Sequence, residues 1–371
     1  MKVTQLFALA ATLHAAAAVP VEKPATAGLR LLKLGSDEEP VWKTVAERLE
    51  LVRSDTGFID VTKTYERSKK LGPVAQKLAK ADYPSPSHQS AVEPLLSKLS
   101  TSAQRADLTE YSTSFHNRYY EAKEGAEASE WIQSTVRAIA SDAGRTDIKV
   151  TAFEHDFIQT STIVEFAAED ASGEITILSG HMDSINQSDP ETGLAPGADD
   201  DGSGTVNLID IIRVLAQSGY KPATPLEFHF YGGEELGLLG SGDIATSYRS
   251  AGKSVKGVLQ LDMTAFPGSS PSISLIDDNV DSALTAFVAE LAGEYSSLPV
   301  TKSSCGYGCS DHASWTENGF PSAFPFEAAF DDSNPVIHTS GDTIDADGFS
   351  FEHMLEFSKL GLGFAIELSS A

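Results

Sequence analysis

The chain of 371 residues predicts an α/β sandwich, a largely parallel or mixed sheet between layers of helix. Three observations predict it. From residue 110 onward, stretches of period-two apolar alternation give way repeatedly to stretches with apolar residues at helical spacing. Strands that alternate with helices build a sheet covered on its faces. A composition of 41% hydrophobic residues with 29 Gly and 17 Pro can bury a large core and is neither disordered nor collagen-like.

Taken in order, the chain opens on Met1-Lys2 and an apolar run from Leu6 to Ala18 that ends in small residues before Val19-Pro20. The run is too short to span a bilayer, so residues 1–18 are expected to be a secretory signal peptide. No later stretch approaches the roughly 20 apolar residues of a membrane helix, and the product is expected to be soluble, secreted and extracellular. Residues 1–88 hold 13 Lys or Arg and 10 Asp or Glu, against 14 and 43 in residues 89–371. The formal net charge of −26 therefore belongs to the second part alone, and it excludes nucleic acid as a partner, because phosphate binding needs clustered cations. The basic stretch with Lys69-Lys70, Lys77 and Lys80 runs into Tyr83-Pro84-Ser85-Pro86-Ser87-His88, a Pro/Ser linker. Residues 19–88 are expected to be a propeptide that folds onto the acidic part and is cut away near this linker, leaving residues 89–371 as the catalytic domain, a monomer.

In that domain Glu174–Ser179 reads as a strand, Thr205–Gln217 as a helix entered through a Gly/Ser turn, and Pro225–Tyr231 as a strand. Val255–Leu261 is a further strand, Asp281–Tyr295 a helix, Ser322–Phe326 a strand and Phe349–Leu368 a closing helix. His229, on an apolar strand, reads as a packed core histidine. The two cysteines stand in Cys305-Gly306-Tyr307-Gly308-Cys309. In an exported protein a pair this close is expected to form a disulfide closing a small loop rather than half of a structural zinc site.

The chemistry follows the strands. The first is followed by Gly180-His181-Met182-Asp183, the second by Gly232-Gly233-Glu234-Glu235 and the third by Asp262-Met263. Between the first two lie Asp199-Asp200-Asp201 at a turn into a helix, and far downstream stands Ile337-His338-Thr339. Each piece alone is weak, since Glu-Glu pairs and Asp runs are usually solvated. Their arrival at successive strand ends is what counts, because active sites of α/β sheets lie beyond the carboxyl ends of strands. Two imidazoles with three carboxylates suit a pair of borderline divalent metals.

These motifs resemble the secreted di-zinc aminopeptidases of the M28 type, in particular the fungal leucine aminopeptidases. The resemblance covers about residues 89–371 and six motifs in the family's order: Ser-Gly-His-Met-Asp-Ser, Gly-Ala-Asp-Asp-Asp-Gly-Ser-Gly, Gly-Glu-Glu-Leu-Gly-Leu-Leu-Gly-Ser, Leu-Asp-Met, Cys-Gly-Tyr-Gly-Cys-Ser-Asp-His and Ile-His-Thr. It implies a zinc-exopeptidase-like three-layer fold and two Zn²⁺ per chain. Asp200 would bridge the metals, with His181 and Asp262 completing one site and Glu235 and His338 the other. It also implies a cis peptide bond after Asp200. Glu234 is then the expected general base for attack by metal-bound hydroxide on the first peptide bond of a substrate with a free α-amine. Asp183 is the expected partner orienting the His181 ring. Tyr307 is a candidate donor to the substrate oxygen. Met263, Phe324, Phe326, Phe330 and Ile337 flank the ligand segments and could form an apolar pocket for Leu or another bulky residue.

Other readings fit less well. Ser310-Asp311-His312 holds triad letters as neighbours, whereas a triad forms between distant segments. No Gly-x-Ser-x-Gly or His-Glu-x-x-His occurs. A carboxypeptidase or N-deacylase would need a cationic anchor, and none is identifiable. A calcium-binding protein would not need two histidines, because Ca²⁺ prefers oxygen shells. Asn186-Gln187-Ser188 is a glycosylation acceptor if its loop is accessible.

Overall fold

A computed structural model describes residues 28–35, 38–54, 56–66 and 83–370. The expected signal peptide and Lys69, Lys70, Lys77 and Lys80 lie outside the described residues. The N-terminal segment forms an antiparallel sheet of β1 (Arg30–Lys33), β2 (Val41–Lys43) and β3 (Ile59–Asp60) in the order β2-β1-β3, with α1 (Val45–Arg53) between β2 and β3. Thr44 and Glu47 start α1 with a reciprocal capping box.

The rest of the chain begins with α2 (Gln89–Leu96), α3 (Thr101–Ser114) and α4 (Lys123–Asp142), then an antiparallel hairpin of β4 (Ile148–Phe153) and β5 (Ser161–Phe166). It continues through β6 (Ile175–His181), α5 (Gly202–Ser218), β7 (Leu226–Tyr231), α6 (Leu239–Ser250) and β8 (Val255–Gln260). Then come β9 (Ile273–Ile276), α7 (Ser282–Tyr295), β10 (Val300–Ser303), α8 (His312–Glu317), β11 (Ser322–Ala323), β12 (Pro325–Phe326) and α9 (Phe351–Ser369). The main sheet has the order β11-β8-β6-β7-β5-β4. Its first four strands are parallel, β5 runs against them, and β4, antiparallel to β5, returns to their direction. The expected mixed sheet is therefore present, and β9, β10 and β12 form a smaller one beside it.

Period two decides the layers. Ile177, Tyr231 and Val258 face α6 and α8, packing with Ile244, Tyr248 and Trp315. Their strand neighbours Leu178, Phe230 and Leu259 face the opposite layer, packing with Leu208, Ile211, Leu291 and Phe357 of α5, α7 and α9. α5 is buried along nearly its whole length, and apolar residues cover most of its circumference. Asp201 caps its start by accepting from Gly204 N, and Gly219, at φ 72°, ends it. The single strand expected over 322–326 is divided. Ser322 and Ala323 pair with β8, but Pro325 has no N–H to continue that ladder, and with Phe326 it pairs with β9 instead.

The linker expected at 83–88 is a docked strip rather than a loose hinge. Tyr83 stacks on Phe287 and its hydroxyl donates to Lys256 O at 2.6 Å. Ser87 N and His88 N both donate to the Glu367 carboxylate on α9. A boundary at residue 88 would cut across these contacts.

One buried acid in this layer makes stability depend on pH. Asp210 of α5 accepts from Ser100 N at 3.2 Å and from Arg213 at 3.2 Å, yet burial pushes its carboxyl up to about 6 against these bonds. Its folded pKa stands above the unfolded value of about 3.9. The folded state therefore binds the extra proton, and the stability this gives is present below about pH 4 and lost as pH rises through about 6. Asp210→Asn keeps an acceptor for Ser100 N without the charge. It is expected to melt higher than wild type at pH 8, by on the order of 1–3 kcal/mol, and to show no such advantage in thermal melts at pH 4.

Candidate metal centre

Three neighbouring parallel strands end at one edge of the sheet. His181 closes β6 in register with Tyr231, and Ser179 is in register with Gln260, so the residues after β7 and β8 emerge at the same level. β6 lies between β7 and β8, and the chain reverses its direction of winding there, which opens a crevice at the strand ends. The turn before α5 projects into it.

Asp200 is the centre of the arrangement. Its Oδ1 lies 3.0 Å from His181 Nε2, which in turn lies 3.5 Å from Asp262 Oδ1. Its Oδ2 lies 2.8 Å from His338 Nε2, which lies 3.0 Å from Glu235 Oε2. The two oxygens of one carboxylate thus serve two separate three-residue groups, each able to hold a metal ion. Ligand atoms about 2.0–2.2 Å from a tetrahedral zinc stand roughly 3.3 Å apart, within the 2.8–3.5 Å range of these four spacings. The peptide bond between Asp200 and Asp201 is cis.

The electrostatics ask for cations. Burial disfavours charge on His181, but Asp262, Asp183 and Asp200 push its imidazole well above the ordinary range, and Glu235 and Asp200 do the same for His338. Burial would raise Asp200, yet hydrogen bonds from both histidines hold it well below the ordinary range. Burial pushes Glu235 up to about 7. In this setting protons do the work that divalent ions do for a cluster of acids. Asp262 Oδ1 and Glu235 Oε1 are buried without a hydrogen-bond donor among the described residues, as oxygens meant for a metal are. The donor set fits two zinc ions.

The surroundings hold these ligands in place. Asp183 lies 3.5 Å from His181 Nδ1 and also accepts from Glu234 N at 3.0 Å and Glu235 N at 3.2 Å. One carboxylate therefore orients a ligand ring and the turn of the expected base. Asp199 and Asp201, which sequence reasoning left without a role, flank the bridge. Asp201 accepts from His181 N, Gly204 N and Met263 N, tying β6, α5 and the segment after β8 together. Asp199 accepts from Ala265 N and from Asn334 Nδ2 and pairs with the buried Glu327. Asp342 accepts from both Asp199 N and Asp200 N. Met263 and His338 sit at φ 54° and 55°, which costs a residue with a Cβ on the order of 1–2 kcal/mol. The bonds from Met263 N to Asp201 and from Gln187 N to His338 O hold them there. Ser310, dismissed as part of a triad, donates to Asp262 Oδ2 at 2.5 Å. Acids at turns and hydroxyls near motif ends were the only signals that could have found these residues.

Beside the ligands lies a cavity of about 140 Å³ that includes Glu234, Tyr307 and all five expected apolar residues, Met263, Phe324, Phe326, Phe330 and Ile337. Cys305 and Cys309 are bonded, as expected, and Asp278 accepts from the N–H groups of Cys305 and Gly306 to hold the loop that carries Tyr307. The Asn186 side chain donates to Leu194 O within its own loop. Val52, Thr56, Gly57 and Phe58 of the N-terminal segment also line the cavity. That backbone lies so close that a Cβ on Gly57 would stand 2.1 Å from the Tyr307 ring. Asp60 N donates to Gly237 O, and Lys63 lies 2.5 Å from Asp243.

The chain is similar to known proteins along its whole length. A family model described as Peptidase family M28 matches residues 161–358. Probable leucine aminopeptidase 1 of Trichophyton verrucosum is 40% identical over 385 residues, covering all of both chains. Leucine aminopeptidase 1 of Arthroderma otae is 40% identical over 383 residues, again covering both. Among solved structures, the LapA aminopeptidase of Legionella pneumophila superposes with a TM-score of 0.80 at 31% identity, over 93% of this chain and 95% of that one.

Proposed function

The chain belongs to peptidase family M28, hydrolases of peptide bonds, and on that premise we propose that it is an extracellular two-zinc aminopeptidase made as a zymogen. It removes Leu or another bulky apolar residue from peptides with a free α-amine. The observation that carries this reading is the divided Asp200 carboxylate, with one oxygen toward His181 and Asp262 and the other toward His338 and Glu235.

His181, Asp200 and Asp262 would hold one zinc ion and Asp200, Glu235 and His338 another, which when bound would supply Lewis acidity toward water and the scissile carbonyl. The rest falls to the protein. Glu234, in the same cavity, takes the proton of the attacking water and passes it to the departing amine. Asp183 keeps Glu234 and Glu235 in register with His181. Tyr307 offers a hydroxyl to the carbonyl oxygen. The dense carboxylates favour a substrate that brings a cationic amine, and Met263, Phe324, Phe326, Phe330 and Ile337 favour an apolar first side chain. The N-terminal segment acts as a propeptide, and the docking of residues 83–88 supports a cut upstream of Tyr83.

One assay tests the reading on processed protein. A leucyl chromogenic amide is expected to be cleaved, its N-acetylated form not, and phenanthroline should abolish cleavage until zinc is returned. Comparable cleavage of the acetylated form, or indifference to the chelator, would overturn it.

A further inference from the structure

Ser161, the first residue of β5, is fully buried, and its hydroxyl accepts the N–H of Gly232 at 3.0 Å. This bond extends, through a side chain, the ladder that β5 and β7 make as far as Phe230. The hydroxyl also lies 2.7 Å from His155 Nε2, and His155 Nδ1 lies 3.0 Å from Asp243 Oδ2. With a neutral His155 ring the direction of each bond follows. An ionised carboxylate only accepts, so Nδ1–H donates to Asp243, and the single hydroxyl hydrogen of Ser161 goes to Nε2. Lys63 takes the other Asp243 oxygen, so the inner bond does not depend on it.

These are the residue types of a nucleophilic triad, but the hydroxyl is inaccessible and committed to a backbone N–H, which leaves it no substrate to attack. What the chain of bonds does is fix the lone pair of a hydroxyl on which several backbone segments converge. A Cβ on Gly240 would stand 2.8 Å from Ser161 Oγ and 2.4 Å from Gly232 O. Phe157 stacks flat on His155, with ring centroids 4.6 Å apart, and its Cζ stands 3.2 Å from where a Gly233 Cβ would be. His155 therefore holds the Gly232–Gly233 turn twice, by hydrogen bond through Ser161 and by contact through Phe157. Gly233 has φ 70°, and the next residue is Glu234.

We propose that Ser161, His155 and Asp243 are positioning residues for Glu234, a relay that locks the Gly232–Gly233 turn and so aims the base carboxylate into the cavity. This rests on the reading of Glu234 as the base. The test uses the processed protein with Ser161→Ala, His155→Phe, which keeps the stack on Phe157, and Ser161→Thr, which keeps the hydroxyl. Loss of one hydrogen bond at the turn is expected to lower kcat about tenfold in the first two variants, with KM within about twofold and zinc content unchanged, and Ser161→Thr should recover most of kcat. Hydrogen exchange read by mass spectrometry should show the peptide containing the Gly232 amide exchanging about tenfold faster in the first two variants, with β6 and α5 unchanged. Unaltered exchange at Gly232, or a lowered melting temperature with kcat unmoved, would overturn the relay. If variants at 155 and 161 do not fold, Asp243→Leu, which removes the acceptor for His155 Nδ1–H, carries the same two readouts and the same expected losses. A wild-type protein with no leucyl-amide turnover would sink the aminopeptidase reading and leave the exchange measurement to judge the relay.

Discussion

Glu234→Gln is expected to retain its zinc and lose its turnover, with kcat down by about a thousandfold, within the range a general base contributes. The two ligand groups do not include Glu234, so metal content measured on the purified variant should match wild type. The backbone bond from Glu234 N to Asp183 is untouched by the change, so the turn and its neighbour Glu235 stay where they are. Glu235→Gln should behave in the opposite order. It weakens the donor set shared with Asp200 and His338, and loss of one metal should come before and account for its loss of rate. The pair is a strict test because the residues are adjacent and alike in chemistry. If Glu234→Gln loses zinc while Glu235→Gln keeps it, the two roles must be exchanged; if Glu234→Gln turns over normally, the base lies elsewhere.

The legible part of this molecule is the part written in local pattern. β6, β7 and β8 declare themselves by apolar runs, and the ligands come into view because each run ends in His, Glu or Asp at a turn. Residue type alone could not choose among Asp199, Asp200 and Asp201; the resemblance to the M28 enzymes chose, and the structure shows why all three are acids. Asp200 faces the metal positions, while Asp199 and Asp201 accept backbone N–H groups from segments some 60 residues away. Such partners leave no trace in local spacing. The division of 322–326 turned on the one Pro in that run, a signal present in the sequence but outweighed by its apolar character. The hairpin of β4 and β5 with its relay went unread because its purpose depends on Gly232, more than 60 residues on. The N-terminal segment was legible in charge but not in place. Nothing near Gly57 foretells Tyr307, and only the fold brings them together.

That contact yields the second large effect. The uncut chain is expected to hydrolyse leucyl amides at about 1% of the rate of the processed enzyme or less, because Thr56–Phe58 walls the cavity that a substrate must enter, with Gly57 packed on the Tyr307 ring. The segment is held mainly by apolar burial. Leu32, Leu49, Val52 and Phe58 share a cluster with Phe157, Leu236 and Leu239, and Leu31, Ile59 and Val61 share another with Leu238 and Ala313. At roughly 1.5–3 kcal/mol for each fully buried side chain, this outweighs ion pairs such as Lys63 with Asp156, which as exposed pairs contribute about 0–1 kcal/mol. Salt alone should therefore not activate the chain. The segment is also too small to build a core of its own, so its fold is borrowed from the catalytic part. While it is tethered, its effective concentration is of the order of millimolar. A cut between residues 66 and 83 removes the tether without touching the docked strip that starts at Tyr83, and activity should then appear on dilution or digestion of the freed piece. Gly57→Leu separates this account from one in which the segment merely assists folding. The new side chain would have to occupy the space of the Tyr307 ring, since even a Cβ falls 2.1 Å from it. The uncut variant should gain activity at least about tenfold, as a contact worth one or two kcal/mol is lost, with the processed enzyme unchanged because it no longer carries the substitution. An uncut Gly57→Leu chain as silent as wild type, or an uncut wild-type chain as active as the processed one, would show that the segment does not close the site.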